Sequence, residues 1–189
     1  MNRRRIWSPL SPAEKRQVWG DFTEKEDEYL DEVEERWGDS EAYAQSVRRV
    51  ARYGKAEWEQ INRDNAAIEA RIRDLMDAGV APSSPQGMDV AEAQRLHISR
   101  WFYEMDHAFH VQKSTLYVHD PRFRAGVEKN TRAGAAEWLQ IAIEANAERH
   151  SESDPHHEEQ APPKSHSIKH AKGPAPLASL AAQTPSHQR

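Results

Sequence analysis

The sequence predicts an all-α fold, and three observations lead to that prediction. Over most of the first 150 residues, apolar side chains recur three, four and seven positions apart, the spacing of one helix face. Serine–proline pairs at Ser11-Pro12 and Ser84-Pro85 supply an N-cap and a first helical residue. No segment alternates apolar and polar residues between hairpin turns, so we expect no β-sheet.

Composition and charge limit the class of protein. The 189 residues have a mean hydropathy of −0.96, a formal charge of −5 and no cysteine. No apolar run approaches the ~20 residues that a membrane span needs, so we expect one cytosolic domain without a signal peptide, a span or a disulfide bond. Tight basic clusters are short and few, the main examples being residues 3–5 and 48–49, so we expect no direct binding of nucleic acid.

The first two predicted helices differ in how well their own residues support them. Ser11 and Glu14 form a capping box, which predicts a helix from there to about Gly20. The acidic segment 24–35 carries four like-charged pairs at i,i+4 spacing, each costing roughly 0.2–0.5 kcal/mol, and a helix this short is marginal alone. It therefore needs a partner surface or a ligand. Its apolar stripe consists of Phe22, Tyr29, Leu30, Val33 and Trp37.

Glycines and prolines divide the rest of the ordered sequence into further helices. Asp39 or Ser40 caps the third helix, and Gly54 and Gly79 bound a long fourth helix with the clearest helical period in the chain. The predicted helices span about 40–53, 54–79, 84–102, 108–118 and 122–148.

The composition changes at residue 150. From there onward the chain has six prolines, six histidines and no aromatic residue. Such a segment cannot bury enough apolar area to offset its ordering entropy, so we predict a disordered tail. We divide the chain into an N-terminal helical segment (1–38), a central domain (39–149) and the tail (150–189).

The segment HISRWFYEMDHAFH, residues 97–110, carries three histidines and an aspartate that could suggest a metal site. However, His97 belongs to a different predicted helix from His107 and His110, and the spacing matches no known zinc motif. We therefore expect no metal and no cofactor. The chain also lacks a GxSxG turn, a glycine-rich phosphate loop and a cysteine nucleophile, so we do not expect an enzyme.

The same segment is rich in aromatic rings. Three consecutive rings, Trp101, Phe102 and Tyr103, would point about 100° apart on a helix and could not all face one core. Two interpretations stay open. Either the rings are all core residues, or at least one reaches a cleft or a neighbouring segment. Aromatic clefts suit large, flat or heterocyclic ligands.

Several sequence runs together resemble the TipA-type antibiotic-recognition (TipAS) domain, the ligand-binding part of MerR-like multidrug-responsive regulators. The runs are EVEERWGDSEAYAQS (32–46), IEARIRDLMDAGVAPSSP (68–85), HISRWFY (97–103) and LYVHDPRF (116–123). The resemblance extends from about Leu10 to Ala147 and depends on the order of the motifs. It implies a globin-like, all-helical domain that binds bulky peptide-derived antibiotics in a deep cleft. It also implies an N-terminal segment that becomes ordered around the ligand.

The sequence departs from the family pattern in two respects. The winged helix-turn-helix and coiled coil that precede the domain in the regulators are absent, which argues against DNA binding. Met105 stands where some members carry a cysteine that captures thiopeptides covalently. Without a thiolate, we expect non-covalent binding only.

Two functions follow as hypotheses. The first is sequestration of a thiopeptide-like or albicidin-like antibiotic by a monomeric protein, which confers tolerance. The second is a ligand-sensing regulatory protein of the MerR/TipA type that acts on transcription through a partner or a longer form. A metal- or haem-binding globin-like protein is a third hypothesis. The predicted ligand contacts are Trp37, Tyr43, His97, Trp101, Tyr103, Met105, Phe109, His110 and Tyr117.

Overall fold

The structure is a computed structural model that describes residues 9–152. Within this range the chain forms α-helices and one 3₁₀-helix and contains no β-strand. The helices are α1 Pro12–Trp19, α2 Glu26–Trp37, α3 Glu41–Val50, α4 Lys55–Asp77, α5 Pro85–Trp101, α6 His107–His119, α7 Pro121–Asn130 and α8 Ala135–Glu152, with the 3₁₀-helix Gly20–Lys25 between α1 and α2. No helix in this range is both long enough and apolar enough to cross a membrane.

Short polar side chains cap the helix starts. The capping box of Ser11 and Glu14 is present, and Ser40, not Asp39, caps α3 by accepting a hydrogen bond from the backbone amide of Tyr43. The same role at α5 falls to Ser84. Each such cap satisfies an amide that the helix itself leaves without a partner, which is worth about 1 kcal/mol.

The C-terminal part corrects our prediction of a single helix over 122–148. The chain breaks between Asn130 and Ala135, and α8 continues to Glu152, inside the segment we assigned to the tail. Gly134 has a φ of +81°, a conformation that other residues rarely adopt, and its amide donates to the side chain of Glu128. The apolar periods of α7 and α8 had appeared continuous, and the break was therefore missed. The rest of the predicted tail, from residue 153, lies outside the described residues.

The core consists of two apolar clusters. The first gathers around Trp58 of α4, which makes edge-to-face contacts with Trp19 and packs against Phe102. The second gathers around Leu139 of α8, where α8 packs on α5 and α6. Trp58 and Leu139 are both fully buried. The two clusters meet along α4 and α5, and a cavity lies between them.

Helix α5 ends at Trp101, which changes the argument about the three consecutive rings. Phe102 and Tyr103 lie beyond the helix and are fully buried in the first cluster, whereas Trp101 packs against it while partly exposed. Trp101 contacts a neighbouring helix, because its indole Nε1 donates to Asp64 and its carbonyl accepts from the hydroxyl of Tyr53. All three rings therefore serve the core, and a bend in the chain makes this possible.

Candidate functional site

A cavity of about 510 Å³ lies between the acidic helix α2 and the body formed by α4–α8. Its walls come from both core clusters, since Trp37 and Ile98 belong to the first and Ile72 and Leu139 to the second. Cavities of about 300–1,000 Å³ with mainly apolar walls are the usual size of sites for small organic ligands. The cavity is therefore the candidate functional site.

Helix α2 covers one side of the cavity with the apolar stripe seen in the sequence. Val33 and Trp37 are buried there, and Tyr29 makes an edge-to-face contact with Phe22 at 5.1 Å between ring centroids. Across the cavity, Phe123 is the aromatic residue of α7. Rings therefore face the cavity from two sides, an arrangement suited to a ligand with ring systems of its own.

Helix α7 contributes a small residue where the cavity is open. Gly126 lines the cavity, and a Cβ atom added there would meet no atom within 4 Å. Glycine in a helix interior costs roughly 0.5–1 kcal/mol relative to alanine. Glycine at this position therefore leaves space in the cavity and lowers the stability of the helix.

Two polar side chains interrupt the apolar wall deep in the cavity. Lys113 of α6 is 1% exposed, and its Nζ donates to the hydroxyl of Tyr103 at 3.0 Å. Burial lowers the pKa of Lys113 from 10.5 to about 7. His97 of α5 is 8% exposed, and burial lowers its pKa to about 4, so that it is neutral at pH 7. Within residues 9–152, His97 Nε2 has no hydrogen-bond partner.

The rim of the cavity carries charges on α2, α4 and α7. Arg122 bridges α7 to α2 through two 2.8 Å hydrogen bonds to the carboxylate of Glu32. Glu69 of α4 accepts hydrogen bonds from the side-chain amides of Asn65 and Asn130, and burial raises the pKa of Glu69 to about 7. The exposed bridge between Arg122 and Glu32 contributes little stability, so α2 is held in place mainly by its apolar stripe.

Three of the nine predicted ligand contacts line the cavity: Trp37, His97 and Tyr117. The other six are placed elsewhere in the structure. They are Tyr43, Trp101, Tyr103, Met105, Phe109 and His110, and all belong to the first cluster or to hydrogen-bond networks behind the wall.

Two of these six, Tyr103 and His110, form hydrogen bonds with residues that line the cavity. Tyr103 holds the amine of Lys113, and His110 Nε2 lies 3.0 Å from the side-chain oxygen of Gln94, which lines the cavity. The assignment of all six as direct ligand contacts stays a prediction.

Sequence reasoning missed Lys113, which is buried and lines the cavity. A signal for it was present, because Phe109, Lys113 and Tyr117 are spaced by four and share one helix face. A lysine inside an apolar stripe is a candidate for a buried amine.

A second polar cluster, away from the cavity, has the residue types of a metal site. Glu92, His107 and His150 offer ligand atoms within 4.8 Å of one another. The carboxylate of Glu92 already accepts hydrogen bonds from Arg95 and Asn146, and the imidazoles of His107 and His150 are stacked at 4.1 Å. Lone pairs in two nearly parallel rings do not converge on one ion, so this geometry favours a hydrogen-bonded, stacked network.

Comparison with known proteins agrees with the fold. The family model of the TipAS antibiotic-recognition domain matches residues 29–146. Two relatives, the HTH-type transcriptional activators TipA of Streptomyces coelicolor and Streptomyces lividans, are each 38% identical over 151 residues. That match covers 80% of this chain and 58% of each relative, so the chain spans a little over half of their length.

A solved structure has a similar fold. It is TipAS from Streptomyces lividans in complex with nosiheptide, part of a thiopeptide antibiotic multidrug resistance system. The similarity has a TM-score of 0.67 at 39% identity and covers 76% of this chain and 99% of that chain. These matches confirm the all-α prediction and the resemblance seen in the sequence motifs. The chain belongs to the TipAS antibiotic-recognition domain family.

Proposed function

We propose that this protein binds a bulky, ring-containing peptide antibiotic, thiopeptide-like or albicidin-like, in the cavity between α2 and α7, and that it sequesters the antibiotic in the cytoplasm. The observation that carries the proposal is the cavity of about 510 Å³ with rings on two walls. The solved TipAS relative binds the thiopeptide nosiheptide, which supports the same ligand class here. Sequestration needs no catalysis, so the protein acts by binding alone.

Helix α2 serves as a movable cover in this proposal. It covers one side of the cavity with an apolar stripe, while its outer face carries like charges that repel one another. A ligand larger than the cavity displaces or extends this cover and replaces its contacts with its own rings. The described part of the N-terminal segment, residues 9–38, is then held in place by the bound ligand.

Binding is non-covalent in this proposal. The chain has no cysteine, and Met105 stands in the loop between α5 and α6, at the position where the family resemblance implies a cysteine in some members. Met105 is 2% exposed, and its carbonyl accepts a hydrogen bond from Arg95. A thioether does not add to an electron-poor double bond to give a stable adduct, so affinity comes from burial and hydrogen bonds.

Titration with nosiheptide tests the proposal, with tryptophan fluorescence as the signal because Trp37 lines the cavity. We expect saturable binding at micromolar concentrations or below, and an unchanged protein mass after incubation. Gly126→Leu places a side chain in the cavity and should weaken binding at least tenfold. Since leucine favours helix more than glycine does, this variant stays folded.

Ala67→Leu is the matched control for this titration. Ala67 is exposed on α4, outside the cavity, and its substitution should change the affinity by less than threefold. Absence of saturable binding to the wild type, or equal binding by the wild type and Gly126→Leu, would show that the cavity is not the antibiotic site.

A second candidate function is supported by the curated relatives. Both are transcriptional activators of which this chain matches 58%, which favours a ligand-sensing part of a regulatory system that acts through a partner or a longer form. Expression in a host without such a partner separates the two functions. Sequestration predicts that antibiotic tolerance rises in proportion to the amount of protein. Regulation through a partner predicts no tolerance in that host.

A further inference from the structure

The cavity wall contains a buried cation site without a counter-charge. Lys113 Nζ has three protons to donate and one hydrogen-bond acceptor, the Tyr103 hydroxyl, within residues 9–152. No carboxylate of the described residues lies within 4.0 Å of it, the distance of an ion pair. A buried ammonium normally has such a partner, because its removal from water costs several kcal/mol.

Other charged groups around the cavity are engaged elsewhere. Glu32 pairs with Arg122, and Glu69 is held by two side-chain amides. His97 and His110, which lie near the amine, are neutral at pH 7 because burial lowers the pKa of both. The titratable groups that line the cavity are Tyr29, Glu32, Glu69, His97, Lys113, Tyr117, Arg122 and Lys129, and Tyr103 and His110 lie behind it.

We propose that Lys113 is the anchor for an acidic group of the ligand, with His97 Nε2 as a second donor. The cavity then selects compounds in which an apolar ring body carries one carboxylate, sulfonate or acidic hydroxyl. Both residues line the cavity and are under-satisfied among the described residues: Lys113 Nζ has one hydrogen-bond partner for three protons, and His97 Nε2 has none. This inference rests on the cavity being the ligand site, as proposed above.

Binding of an anion at Lys113 is coupled to a proton. Without ligand, burial lowers the pKa of the amine to about 7, so at pH 8 most molecules carry a neutral amine. An anion beside Nζ favours the charged form, and the complex takes up close to one proton. Affinity for an anion that does not itself titrate therefore falls about tenfold per pH unit above pH 7.5.

A matched pair of fluorescent dyes tests the anchor. 8-Anilinonaphthalene-1-sulfonate and N-phenyl-1-naphthylamine share one ring system, and the first carries a sulfonate that stays ionised at all pH values used. We expect the affinity for the sulfonate dye to fall at least tenfold from pH 7.5 to pH 9, with less than a threefold change for the neutral dye. In Lys113→Met, the affinity for the sulfonate dye relative to that for the neutral dye should fall at least tenfold. The pH dependence of sulfonate-dye binding should disappear.

Three further variants decide between sites. Lys129→Met removes a cation at the rim, and Glu69→Gln removes a carboxylate that also titrates near pH 7; both should keep the pH dependence. Gly126→Leu should weaken both dyes, which places them in the cavity. The proposal is overturned if the preference for the sulfonate dye over the neutral dye is lost in Lys129→Met but kept in Lys113→Met. It is also overturned if Gly126→Leu leaves the affinity for the sulfonate dye unchanged. The antibiotic titration judges the proposed function separately, because a ligand without an acidic group still fills the cavity.

Discussion

Lys113 should make the protein less stable than the same fold with an apolar residue in its place. Its pKa lies at about 7 instead of 10.5, and each pH unit corresponds to about 1.36 kcal/mol. Relative to a solvated lysine, burial of this side chain therefore costs about 5 kcal/mol at pH 7. The hydrogen bond to the hydroxyl of Tyr103 is the compensation that the structure shows.

Lys113→Met removes this cost and introduces a smaller one. Methionine is unbranched and of similar length, so it fits the space that the lysine side chain occupies. The hydroxyl of Tyr103 loses its partner, which costs about 1–3 kcal/mol for a buried group. We expect a net gain of about 2–4 kcal/mol in the free energy of unfolding at pH 7.

The sign of the pH dependence follows from proton binding. The folded pKa lies below the unfolded one, so between about pH 7 and pH 10.5 the unfolded chain holds a proton that the folded chain lacks. The free energy of unfolding of the wild type must then rise with pH, by at most about 1.36 kcal/mol per unit. Burial raises the pKa of Tyr103 and Tyr117 above 10, so neither tyrosine interferes at pH 7–9.

Urea unfolding followed by circular dichroism at pH 7 and pH 9 measures both effects. The wild type should gain about 2 kcal/mol on this interval from Lys113, and Lys113→Met should lack that gain. Lys55→Met is the control, because the Lys55 side chain at the start of α4 is 42% exposed and its loss should change stability by less than about 0.5 kcal/mol. A less stable Lys113→Met at pH 7, or a pH slope that survives the substitution, would refute the picture of an uncompensated buried amine.

Three further predictions concern the fold itself and are measured by the same unfolding assay. Trp58→Ala should cost about 3–5 kcal/mol because this ring fills the centre of the first cluster. Ser40→Ala should cost about 1 kcal/mol through loss of the α3 cap, while leaving ligand affinity unchanged. From pH 6.5 to pH 5, stability should fall by about 1–2 kcal/mol, because His97 and His110 must remain neutral in the fold; Glu69, with its raised pKa, offsets part of this loss.

The fold was largely predictable because its helix signals are local. Ser11, Ser40 and Ser84 mark helix starts, and Gly79 stops α4 with a φ of +67°. The break at Gly134 was missed because its cause is a conformation, while the apolar period continues on both sides. Local sequence identifies caps and stripes well, but it does not distinguish one long helix from two that share a face.

The site was predicted less well, for a physical reason. The rings of Phe102 and Phe109 look alike in sequence, as do those of Trp37 and Trp101, yet Trp37 alone of these four lines the cavity. Which ring faces the cavity depends on where α5 ends and how α2 lies across α7. Those are packing angles between distant segments, and no periodicity within one segment encodes them.

The residues around the cavity are hard to explain as choices for stability. Gly126 costs about 1 kcal/mol in a helix and leaves space, Lys113 costs several, and His97 keeps a nitrogen without a partner among the described residues. Each could be replaced by a larger or apolar residue that would stabilise the fold. All three residues line the same cavity. Residues that lower the stability of the unliganded fold and lie together around one cavity are expected in a binding site. A ligand that fills the space and accepts hydrogen bonds from the donors stabilises the fold when it binds.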